Sequence, residues 1–120
     1  MLRPIPSRIL RSSALVEVCT GVDLYQNPAY EEYTVHRVHL QPTDKVVKTK
    51  NNTDCQLVSV LFVDARRSSP ALDWDALLRE AQEAGGDVKV TVNRVQYTVV
   101  TVDKLMSDTD RLHHWEIGVA

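Results

Sequence analysis

The 120-residue chain has the length of one domain, and its 43% hydrophobic and 25% charged residues are those of an ordinary globular protein. A formal net charge of −2 gives no overall attraction to nucleic acid or to an anionic membrane, and no apolar run reaches the roughly 18 residues of a transmembrane helix. Two cysteines, Cys19 and Cys55, read as reduced thiols rather than as a disulfide scaffold.

Residues 1–12 read as an N-terminal arm. Arg3, Pro4, Ile5, Pro6 and Arg8 mix basic side chains with two prolines, without the apolar stretch of a secretory signal. Residues 13–120 form the single domain. Ala14 to Cys19 is the first predicted strand, followed by a turn-rich stretch from Gly21 to Ala29 that contains Asn27-Pro28. Tyr33 to Leu40 is the second. Strict alternation puts His36, Val38 and Leu40 on one face and Val35, Arg37 and His39 on the other, and Pro42 stops it. Residues 42–55 hold Lys45, Lys48, Lys50, Asn51 and Asn52 with few apolar anchors. They read as a long exposed hairpin or loop, an element able to carry function on a rigid scaffold.

Gln56 to Val63 is almost continuously apolar, the pattern of a strand covered on both faces. A helix near 72–84 follows, because Trp74, Leu77, Leu78 and Ala81 recur at i, i+3, i+4, i+7. Asp73 or Ser69 caps its start and Gly85-Gly86 stops it, and such a helix usually plugs one end of a small barrel. Val88 to Val92 and Val95 to Val102 read as strands joined by a tight turn at Asn93-Arg94, and Leu112 to Val119 closes the set. The fold class is therefore mainly β: a small single-domain β-barrel of six to seven strands with one short helix before the closing hairpin.

Chemistry finds few footholds. There is no phosphate loop, dinucleotide fingerprint, nucleophile elbow or zinc-spaced cysteine pair. Asp64, Asp73 and Asp103 fall at expected strand ends or caps, where turn roles suffice. In an extended strand His113, Trp115 and Ile117 share one face while His114 and Glu116 share the other, so the adjacent histidines do not meet at one ion. His36 meets His113 only if their strands pair. No enzyme, metal or cofactor is expected. The lysines of the 42–55 segment, with Arg66-Arg67, are local positive patches, but few aromatics accompany them to form a base-stacking platform.

Arg3-Pro4-Ile5-Pro6-Ser7-Arg8-Ile9-Leu10 at the start, Val38-His39-Leu40-Gln41-Pro42, Val95 to Val102, and Arg111-Leu112-His113-His114-Trp115-Glu116-Ile117-Gly118 together resemble a family of minor capsid proteins of tailed bacteriophages and prophages of Gram-positive bacteria. The stretch from Pro70 to Gly86 is longer than that family leads one to expect. The resemblance implies a head-completion protein of the head–tail connector, similar to the siphophage stopper. Such a protein is a small β-barrel that self-associates into a ring, dodecameric, beneath the portal and adaptor proteins, where it helps retain packaged DNA and docks the tail. It belongs to the virion, is made in the host cytoplasm, and calls for no cofactor and no membrane. By position, the loop with Lys45, Lys48, Lys50, Asn51 and Asn52 is the channel element facing DNA or a neighbouring subunit. Arg3, Pro4, Ile5, Pro6 and Arg8 form the assembly arm. The alternative is a single-stranded nucleic-acid-binding barrel.

Overall fold

The computed structural model describes residues 12–25, 27–48, 52–66, 68–107 and 111–120. In chain order these form β1 (Ser12–Val22), β2 (Pro28–Pro42), β3 (Val46–Lys48), β4 (Asp54–Gln56), β5 (Ser59–Asp64), α1 (Trp74–Glu83), β6 (Val88–Val92), β7 (Val95–Met106) and β8 (Leu112–Val119). Six strands close into a barrel in the order β1-β2-β5-β8-β7-β6, with every neighbouring pair antiparallel. Closure turns the inward faces toward one another, and they are filled mainly by β-branched and aliphatic side chains. Val16, Val35, Val38, Leu61, Val90, Ile117 and Val119 are fully buried.

The short strands β3 and β4 stand apart as a separate two-stranded sheet. They are a hairpin inserted between β2 and β5. The helix packs against β1, β6 and β7. Its Trp74 and Ala81 join the barrel core, with Leu77 and Leu78 half-buried beside them, as the apolar stripe predicts. Asp73 is the N-cap, its carboxylate accepting from Ala76 N–H at 3.2 Å. Trp74 Nε1 is buried without a hydrogen-bond partner among the described residues.

Several sequence expectations are corrected. Strict alternation fails in β2: Val35 and Val38 are both buried, while His36 and Arg37 are both exposed. Arg37 has φ +62° and is the extra residue where the β1–β2 register slips, a bulge that resets the face of everything after it. Ser68 holds that bulge, its hydroxyl donating to Arg37 C=O and accepting from Asp64 N–H. The stretch from Gln56 to Val63 is not one strand. Gln56 belongs to the hairpin and β5 begins at Ser59; its inner residues Ser59, Leu61 and Val63 are buried, whereas Val60 and Phe62 stay half-covered. Three strands run longer than their apolar patterns: β1 spans Ser12–Val22, β2 begins at Pro28 and β7 continues to Met106. Asp103 accordingly lies inside β7, not at a strand end.

Candidate functional site

The hairpin between β2 and β5 carries the residues singled out for function. Its rungs are Val46–Gln56, Val47–Cys55 and Lys48–Asp54. Its root is fixed by backbone hydrogen bonds: Thr43 N–H to Val58 O at 3.0 Å, Leu57 N–H to Lys45 O at 2.9 Å, and Val58 N–H to Val119 O at 2.8 Å. The element is therefore weakly packed along its length and firmly tied at its base.

Lys45 lies at that base and lines a groove; Lys48 lies further out and is exposed. Lys48 Nζ meets Asp54 Oδ1 at 2.7 Å, with both side chains about two-thirds exposed, so the pair is screened and worth at most about 1 kcal/mol. Asn52 sits exposed at φ +59°, a left-handed turn position that Asn tolerates better than most residues. Lys50 and Asn51 lie outside the described residues, as do Arg3, Pro4, Ile5, Pro6 and Arg8.

Beside the root, the outer face of β5, β8 and β7 forms a groove of about 230 Å³. Its floor is Gly118, flanked by Val60 of β5 and Thr101 of β7 in register. Leu57, only 3% exposed, folds over that glycine; a Cβ there would lie 2.7 Å from Leu57 Cδ1 and would also strike the Thr101 hydroxyl. Phe62, Asp103 and Glu116 form another part of the wall. Asp103 and Glu116 are direct cross-strand partners, an arrangement of like charges that costs free energy unless a cation or donor approaches. The glycine floor was readable in principle, because a lone Gly inside a strand marks close approach of another group.

The histidines near the C-terminus differ from their expected arrangement. The β7–β8 register slips beside His113, so His113 and His114 are not on opposite faces. Their rings lie edge to face with centroids 4.9 Å apart and Nδ1 atoms at 2.7 Å, one ring donating and the other accepting. His114 Nε2 reaches Glu116 Oε2 at 3.4 Å, and Phe62 stands between His114 and His39 with centroids 6.1 and 6.0 Å away. His36, on β2, instead takes the Ser13 hydroxyl at 3.1 Å and does not join this group. Trp115 and Ile117 are buried in the barrel, so the segment anchors the closing strand. Among the described residues no three His, Cys, Asp or Glu side chains are grouped to hold a metal ion.

No family model, curated protein or solved structure matches the chain.

Proposed function

We propose that this protein is a structural component of a tailed-bacteriophage virion, a stopper-like head-completion protein. It forms a ring, dodecameric, between the portal and adaptor proteins and the tail, and performs no catalysis. One observation carries the reading: the β3–β4 hairpin leaves the barrel wall between β2 and β5 as a separate two-stranded sheet, with its root tied by backbone hydrogen bonds. That is the geometry needed by an element that reaches from a rigid ring into a channel. The resemblance of the chain's start and end to minor capsid proteins supplies the biological setting. In that setting Lys45, Lys48, Lys50, Asn51 and Asn52 face packaged DNA or a neighbouring subunit, and contact with DNA is non-specific.

Less supports a single-strand-binding barrel. Such barrels stack bases on aromatic platforms within a basic groove, whereas the groove here is walled by Asp103 and Glu116 and offers Phe62 alone as an aromatic surface.

Deleting residues 44–53 tests the reading. The expected result is a folded barrel, with unchanged near-ultraviolet circular dichroism, and heads that lose packaged DNA. Heads that keep their DNA with the deletion, or tight salt-sensitive binding of oligonucleotides by the isolated chain, overturn it.

A further inference from the structure

β2 has a long backbone edge that no described residue covers. On one side it pairs with β1 from Pro28 to Val38, but on the other it pairs with β5 only from Val38 to Pro42. His36 fixes the polarity of the open part: its N–H donates to Ser69 O at 2.7 Å and its C=O accepts from Ser69 N at 3.2 Å, so both point away from β1. Cys19, opposite Tyr30, sends its own N–H to Asp87 O on the far side of β1, which marks that pair as one without mutual backbone bonds. By the period of two, the N–H and C=O groups of Tyr30, Glu32 and Thr34 face outward as well. Ser69 fills the rung at His36. Pro70, which has no N–H, ends that pairing, and the chain turns to the helix. Beyond it the rungs at Thr34, Glu32 and Tyr30 have no partner among the described residues.

An uncovered edge of this kind is a template for an added strand, and its chemistry selects a basic one. Glu31 and Glu32 are exposed there, and Glu17 stands directly opposite Glu32. The chain holds a matching segment. Residues 1–11 carry Arg3, Arg8 and Arg11 and no carboxylate side chain. Pro4 and Pro6 share one parity, so in a strand both sit on the side away from the edge, while Ile5, Ser7 and Ile9 present N–H groups toward it. Those three donors match the three open rungs. The prolines would then blunt the new edge against further addition.

We propose that residues 5–9 of a second copy dock as a strand on Tyr30–Thr34. A neighbour is invoked because Ser12 lies opposite Val38, eight residues along β2 from Tyr30 (roughly 26 Å), whereas an antiparallel strand with residue 9 opposite Tyr30 leaves only three residue steps, at most about 11 Å, back to Ser12. The proposal rests on the ring-forming reading above and names the contact that links one subunit to the next.

Amide hydrogen exchange of the full-length isotope-labelled chain, titrated with an unlabelled synthetic peptide of residues 1–11, tests it. The expected result is exchange slowed about tenfold or more at Tyr30, Glu32 and Thr34. The protection is lost with a peptide carrying Ser7→Pro, which leaves the protein untouched. The double variant Glu31→Lys, Glu32→Lys is expected to bind the peptide roughly fivefold or more weakly. No protection at these amides, equal protection by the Ser7→Pro peptide, or full protection in the dilute chain before peptide is added overturns the proposal. The measurement needs no phage particle, so its failure is separate from failure of the head-completion reading, which is decided by DNA retention.

Discussion

Gly118→Ala tests the link between the barrel wall and the hairpin. The new Cβ would lie 2.7 and 3.2 Å from the two methyl carbons of Leu57 and against the Thr101 hydroxyl, where ordinary carbon contacts need about 3.5–4.0 Å. Leu57 cannot retreat as a unit, because its N–H is bound to Lys45 O and the next residue's N–H to Val119 O. Its side chain must instead swing toward solvent, forfeiting part of the roughly 1.5–3 kcal/mol that burying a leucine provides. Turning Thr101 off its rotamer costs about 0.5–1.5 kcal/mol more. A net loss of about 2 kcal/mol follows, within the usual range for overpacking. With an unfolding entropy of about 2.1 cal/mol/K per residue over 120 residues, that lowers Tm by about 8 °C. Urea denaturation measures the loss, and amide exchange in Val46–Lys48 and Asp54–Gln56 is expected to quicken as the root of the hairpin loosens. A change below about 0.5 kcal/mol, with hairpin exchange unaltered, refutes the claim that Leu57 on Gly118 clamps the hairpin.

Asn93 and Arg94 have φ +52° and +68°, the two left-handed positions of a tight hairpin turn; Arg94→Gly is expected to raise stability by about 1 kcal/mol in thermal or urea melts. Ser68→Ala leaves Arg37 C=O and the buried Asp64 N–H without the hydroxyl that joins them, and should cost about 1–3 kcal/mol, with exchange at His36 accelerating. Asp23 accepts from Asn27 and Tyr25 N–H at 2.8 Å each, and the Asn27 bond foremost holds its pKa below the ordinary 3.8. The folded pKa is the lower one, so its contribution is present above the unfolded value and lost as pH falls through the folded value; Asp23→Asn should flatten the stability profile below about pH 4 in acid-titrated urea melts. Lys45→Ala with Lys48→Ala should leave DNA retention in heads largely intact, in contrast to deletion of the hairpin. A complete leak from the double variant would mean that charge, not bulk, holds the DNA.

The barrel was legible because its strands are simple. β6, its turn and β8 match their predicted limits, since Val88–Val92 alternates cleanly and the closing strand has one buried row. The helix was equally plain: one stripe of four apolar residues, an Asp cap and a Gly-Gly stop. Failures cluster where an extra residue breaks the period of two. Nothing in Val35-His36-Arg37-Val38 announces that an arginine takes the left-handed position; Ser68, distant in sequence, stabilises the bulge. The slip beside His113 has the same origin, and it turned two histidines expected back to back into touching rings. The groove was missed for a related reason, because it exists only where Leu57 from the hairpin root crosses a glycine of β8.

The hairpin's physical character follows from these contacts. Residues 43–54 carry Lys45, Lys48 and Lys50 against Asp44 and Asp54, and one lysine is already occupied by Asp54. An element of such low net charge binds DNA weakly per copy, and each phosphate contact is further weakened by salt. Under the head-completion reading proposed above, a ring that holds DNA under packing and later releases it is served better by a movable obstruction than by affinity, because tight binding would oppose release as strongly as it assists retention. The contacts favour such an obstruction: a two-stranded sheet with exposed flanks, able to bend at little cost, on a base where Leu57, Val58 and Val119 fix its position against the barrel. In the proposed ring, stiffness at the root and compliance beyond it would together let identical hairpins converge in a channel while their barrels remain in place.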